Sequence, residues 1–181
     1  MNKLRLFIFL LLAGLFLIES CKKETIIGTA YTTKPFQANI NGSVWAPDTI
    51  SNTITYNSTG QTKTFTLQGT RDQKQIIMNI ILSNASNTPG FTAGTYNVDA
   101  SSVLIDYNTQ VYQNGQYVFL QHGTVSSGSG VIIVSSVDSL KKQITGTFHF
   151  YSRSSDSNGD ITVDNILGGE FTNLPYTFTS N

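Results

Sequence analysis

Residues able to do chemistry are few in this chain, and they are scattered. Cys21 is its only cysteine, and its histidines are His122 and His149. His149 lies between Phe148 and Phe150. If those two phenylalanines face a core, period-two alternation turns His149 outward beside Thr147 and Tyr151. His122 precedes Gly123 at the end of a strand-like run, with no acid or nucleophile beside it in sequence to make it a base. No Gly-x-Ser-x-Gly elbow and no phosphate-cradling glycine loop opening a helix is present. The stretch SSDSNGDITVDN spaces Asp156, Asn158 and Asp160 two apart, as oxygen ligands that wrap Ca²⁺ are spaced. Ile161 stands where such a loop needs glycine, and no glutamate closes it, so Asn158-Gly159 also reads as a hairpin turn with polar flanks. Calcium is the one cofactor candidate, and no other metal or organic cofactor is expected. Trp45, Tyr107, Tyr112 and Tyr117 are candidates for stacking on a ligand, with core packing the competing role for Trp45.

Cys21 has no second cysteine with which to share a metal or a disulfide, which leaves attachment as its role. Lys3 and Arg5 precede an apolar run, Leu6 to Ile18, that is short of the ~20 residues needed to span a bilayer. Charge, apolar core and a small residue before a cleavage point make a secretory signal. Ile18-Glu19-Ser20-Cys21 resembles a bacterial lipobox, with Ser20 as the small residue before the cysteine and Glu19 as the one departure. The reading is that residues 1–20 are removed and Cys21 is lipidated by fatty acids such as palmitate. Each buried methylene would contribute ~0.8 kcal/mol to anchoring. Residues 21–34 then form the lipidated cysteine and a tether, and residues 35–181 a single domain, exported and held at the outer membrane, facing the periplasm or the surface.

The domain of ~150 residues is long enough for one sizeable core. With 11 basic and 11 acidic residues the chain lacks the basic footprint of a nucleic-acid binder. Its Thr, Tyr, Phe, Val and Ile content favours strands. FQANING alternates Phe36, Ala38 and Ile40 to one side and then turns at Asn41-Gly42, a type I′ hairpin signal. SVWAP returns and stops at Pro47. KTFTLQG points Phe65 and Leu67 inward. QIIMNIIL carries apolar residues on both faces, which predicts a central strand covered on both sides. QVYQNGQYVFL predicts a hairpin with Tyr112 opposite Tyr117. GSGVIIVSSVD and KKQITGTFHFYS read as strands joined at Ser139 to Lys142, and the last long strand bulges at Gly168-Gly169. Roughly nine to eleven short strands predict an all-β fold, an antiparallel β-sandwich or partly closed barrel.

Phe-x-Ala-x-Ile-Asn-Gly-x-x-Trp at Phe36 to Trp45, Ile-Thr-Gly-Thr-Phe-x-Phe at Ile144 to Phe150, and Gly-x-Phe-x-Asn-x-Pro-Tyr at Gly169 to Tyr176 resemble a family of small uncharacterised lipoproteins of the Bacteroidetes group. The resemblance implies an all-β envelope domain and no activity. Exported proteins of that group receive O-linked glycans at Asp-Ser/Thr-apolar sites, which makes Thr49 and Ser139 candidates. Three functions fit: a non-enzymatic binding module for a glycan or envelope protein, a structural accessory of an envelope complex with no small-molecule site, and, ranked last, a jelly-roll hydrolase with paired carboxylates. Lipidation is tested by metabolic labelling with a fatty acid. The label is expected on the wild type and lost in Cys21→Ser, and unchanged labelling of the variant excludes the anchor.

Overall fold

The structure is a computed structural model, and it describes residues 34–181. The signal segment, Cys21 and the tether up to residue 33 lie outside the described residues. Twelve strands and no helix follow: β1 (Phe36–Ile40), β2 (Ser43–Trp45), β3 (Thr49–Asn57), β4 (Thr62–Arg71), β5 (Lys74–Leu82), β6 (Gly94–Asn97), β7 (Val103–Gln113), β8 (Gln116–Gln121), β9 (Gly130–Asp138), β10 (Gln143–Ser155), β11 (Ile161–Pro175) and β12 (Thr177–Ser180). They form two six-stranded sheets, ordered β2-β1-β11-β10-β9-β6 and β12-β3-β4-β5-β7-β8. The sheets pack as a sandwich, and no barrel closes.

Alternation builds the core. Phe36, Ala38 and Ile40 of β1 are buried, as are Phe65 and Leu67 of β4, Ile76, Met78 and Ile80 of β5, and Phe148 and Phe150 of β10. The Phe65 and Phe171 rings meet across the sheets with centroids 6.1 Å apart. Phe36 stands edge-on to both Trp45 and Phe148, each at 5.7 Å. Burying a side chain of this size contributes about 1.5–3 kcal/mol.

The Asn-Gly turns form as their chemistry requires. Asn41 and Gly42 have φ of 51° and 84°, and Asn114 and Gly115 have 53° and 82°, the paired positive values of a type I′ turn. Tyr112 lies opposite Tyr117, with ring centroids 5.0 Å apart. The β11 register slips against β10 between Ile166 and Gly169, the expected bulge. Gly168 takes φ +55° there, and a Cβ on Gly169 would stand 2.5 Å from the Phe148 ring.

Three expectations change. The strand count rises to twelve partly because Thr49–Asn57 is a strand, its inward row Ile50, Ile54 and Tyr56 interrupted by the polar Asn52. After Pro175 the chain also changes sheets, and β12 pairs parallel with β3, so the sandwich is not wholly antiparallel. Finally, β5 is central in its sheet, but no strand among the described residues covers its outer face. Ile77 and Ile81 sit half-buried on an outer face shared with Thr64, Thr66 and Asp106.

Gly146 sets how closely the β10 backbone approaches its surroundings. A Cβ there would stand 2.2 Å from the Ile133 carbonyl oxygen and 2.4 Å from the Phe171 ring. Gly146→Ala is therefore expected to destabilise the domain by about 1–3 kcal/mol through overpacking, read as a lower urea midpoint with an unchanged slope.

Candidate functional site

The side chains singled out from sequence end up in different places. Trp45, 5% exposed, and Tyr107, 2% exposed, are core residues and offer no ring to a surface ligand, which corrects their assignment as stacking groups. Tyr107 follows Val103 and Ile105 in the inward row of β7, so alternation buries it. Tyr112 and Tyr117, 66% and 65% exposed, lie near the tip of the β7–β8 hairpin. Gln110 N–H still donates to Gln73 O in the turn before β5, and beyond Gln110 β7 pairs only with β8, so this tip projects past β5 as a two-stranded arm. Val111 and Leu120 are exposed on the arm's other face. His149 is exposed on the outer face of β10, as alternation predicts.

The segment around Asp156 is a hairpin loop between β10 and β11. Asp156 Oδ1 accepts the backbone N–H of Asn158 and of Asp160, both at 2.9 Å, and only Gly159 takes positive φ. The turn is thus a longer one than the two-residue I′ form. No group of three or more His, Cys, Asp or Glu side chains is gathered for a metal among the described residues. Thr49 is exposed at the first position of β3, and Ser139 is exposed in the turn between β9 and β10, where Asp138 Oδ1 accepts the N–H of Leu140 and Lys141.

What the fold brings together is a polar cluster at one end of the sandwich. Asp164 occupies an inward position of β11 opposite Ser152 and is buried. Its Oδ1 accepts Asn41 Nδ2 at 2.6 Å, and Asn41 Oδ1 accepts the Asn165 N–H at 2.8 Å. His122 Nε2 comes within 3.1 Å of Asp164 Oδ2, off the line of a hydrogen bond, so that oxygen keeps no aligned donor. The His122 ring stands edge-on to Tyr107 at 5.7 Å. His122 belongs to the chain just after β8, so the contact ties one sheet to the other. Ser152 Oγ donates to the His122 carbonyl. A Cβ on Gly123, which has φ +80°, would strike the Arg153 carbonyl oxygen at 2.5 Å.

This cluster fixes the loop that follows His122. Thr124 and Arg153 exchange backbone hydrogen bonds at 2.7 and 3.0 Å, and Tyr151 N–H donates to Ser129 O at 2.9 Å. The loop thereby takes the place of β9 along the last turn-ward residues of β10. On the outer face above it, Tyr151 lies directly opposite Asn165, and Arg153 opposite Val163. With the hydroxyls of Thr124, Ser126 and Ser129 they line a groove of about 470 Å³. A second hollow of about 460 Å³ adjoins it through Asn165 and continues to Asn39, Asn41 and Leu167. A ring, amides, hydroxyls and one guanidinium side by side are donors, acceptors and a flat apolar face, and no carboxylate lines the groove.

In the sequence His122 stands without its partner and Tyr151 only as an outward neighbour of His149, and Asp164, Arg153 and Asn165 are not singled out. Asp164 left a signal, an acid in the inward phase of a strand two residues before Ile166.

A family model described as a domain of unknown function, DUF6252, matches residues 32–175. No curated protein and no solved structure gives a significant match.

Burial, and secondarily the charge of Asp164, push the Tyr107 phenol up to about 12. In the unfolded chain a phenol ionises near pH 10. The neutral phenol's contribution to stability is therefore complete below about pH 10 and is lost as pH rises through about 12. Tyr107→Phe is expected to remove a late step from the ultraviolet phenolate titration, and Asp164→Asn to move that step to lower pH.

Proposed function

Because the chain belongs to the DUF6252 family, a domain of unknown function, we propose from its own residues that it is a lipid-anchored, non-enzymatic binding module of the bacterial cell envelope whose ligand is an uncharged glycan. The observation that carries this reading is the groove on the outer face of the first sheet. Tyr151 gives a ring face on which sugar C–H groups stack, and Asn165 beside it gives an amide with both donor and acceptor. Ser126, Ser129 and Thr124 add hydroxyls, and Arg153 adds a fork of donors. The Cys21 signal supports attachment to the outer membrane, with the domain on the periplasmic or outer surface.

A second reading, an accessory of an envelope complex with no small-molecule site, is favoured by the β7–β8 arm. Residues 110–121 hold no charged side chain, and Val111, Tyr112, Tyr117 and Leu120 are exposed there. An exposed, uncharged edge hairpin is a surface suited to a protein partner.

The two readings part on mutation. Screening against an array of neutral polysaccharides, with titration calorimetry on the best hit, is expected to give binding that Tyr151→Ala weakens about tenfold or more, or ~1.4 kcal/mol. Tyr112→Ala is expected to leave it unchanged. Loss through Tyr112 with no effect at Tyr151 moves the site to the arm, and no binding to any glycan removes the first reading.

A further inference from the structure

Lys63 stands at the opposite end of the sandwich from His122, and its surroundings are not those of an ordinary surface lysine. It begins the inward row of β4, two residues before Phe65, and pairs with Leu82, whereas the other end of the sheet is marked by Lys74 opposite Thr109. Only 5% of Lys63 is exposed. Its ammonium donates to Thr88 Oγ1 at 3.0 Å and to the Gly90 carbonyl at 2.8 Å, both uncharged acceptors. No carboxylate reaches it within ion-pair distance among the described residues. An ammonium has three N–H donors, and these two partners leave one over.

Taking such a charge out of water costs several kcal/mol unless an opposite charge or a full set of hydrogen bonds offsets it. Burial accordingly lowers the Lys63 pKa from its ordinary value. The loop that covers it is held in place independently: Ala85 N–H donates to Gln61 O at 2.8 Å, Tyr176 Oη donates to the Pro89 carbonyl at 2.8 Å, and Phe91 packs on Phe65 at 5.6 Å. A cleft of about 480 Å³ is lined by Lys63 together with Ser83, Asn84, Ser86, Thr88 and Thr92 of this loop.

We propose that this cleft is a second binding site, for a monoanionic carboxylate carried on a hydroxylated molecule, the chemistry of a sugar acid, with the carboxylate on Lys63 Nζ. One buried positive charge with no counter-charge matches one negative charge. A phosphate dianion would bring a second charge that none of the lining groups neutralises. The hydroxyl and amide lining matches ring hydroxyls, and Leu82 and Phe91 supply an apolar margin.

The test uses the full chain in detergent with glucuronate, glucose and inorganic phosphate as probes. Glucuronate at millimolar concentration is expected to raise the melting temperature by several degrees, as a ligand that binds only the folded state does, while glucose, added to Tyr151→Ala so that the neutral-glycan groove does not respond, does not. Lys63→Gln, shown folded by its circular dichroism, is expected to weaken glucuronate at least tenfold. Tyr151→Ala is expected to keep the full response, which separates this site from the neutral-glycan groove. Equal responses to glucose and glucuronate, a stronger response to phosphate, or no response to glucuronate overturns the proposal. If Lys63→Gln does not fold, the comparison of glucuronate with glucose on Tyr151→Ala, whose neutral-glycan groove is disabled, decides alone.

Discussion

No ladder hydrogen bond joins the two sheets, so the sandwich depends on the side-chain layer between them. With a single cysteine, no intramolecular disulfide shares that load. The layer is built from aromatic rings in contact, Trp45 on Phe36, Phe36 on Phe148, Phe171 on Phe65 and Phe65 on Phe91. Rings of this bulk leave little room for backbone beside them. Glycine is therefore found where a ring stands against a strand, at Gly69 against Phe36, Gly146 against Phe171 and Gly169 against Phe148. The bulge in β11 lies beside the last of these contacts, between Ile166 and Gly169.

At both ends of the sandwich this apolar layer gives way to polar groups that occupy inward positions. Asn52 reaches the Pro175 carbonyl at 3.0 Å where the chain leaves one sheet for the other. Asp164 meets Asn41 and His122 at one end, and Lys63 meets the covering loop at the other. Buried polar groups are tolerated when their partners are in place. For Asp164 and Lys63 the partners come from turns and loops, so the ordering of irregular segments is tied to a buried polar atom. Asn41 does this twice over, as the first residue of an I′ turn and as a bridge between Asp164 and the Asn165 backbone.

Much of the fold was legible because period-two alternation and Asn-Gly turns are local signals. Phe36, Ala38, Ile40, Phe65 and Leu67 declare their face within a few residues. β3 was obscured because Asn52 breaks its apolar row, and the crossing of β12 to the other sheet has no local signature at all. The site was legible only in fragments. Tyr151 and Asn165 become neighbours through strand register, a long-range property, and the loop from Thr124 to Ser129 reaches them through backbone bonds. Two residues could have been found earlier. Lys63 and Asp164 share the inward phase with Phe65 and Ile166, and a charge in that phase marks a position where the core must supply a partner. Applied to aromatics, the same parity places Tyr107 with Val103 and Ile105 inside.

The pairing of β1 also sets the order in which the molecule can be completed. β1 sits between β2, its neighbour in sequence, and β11, with Phe36 opposite Phe171. Its first residues thus wait for nearly the last strand to exist before their hydrogen bonds and their ring contacts can form. Closing so long a loop must come before any of those contacts reward it, which makes for folding in milliseconds to seconds rather than microseconds. During that interval the Phe36, Ala38 and Ile40 row is uncovered, and the chain is at its most vulnerable to association with its neighbours.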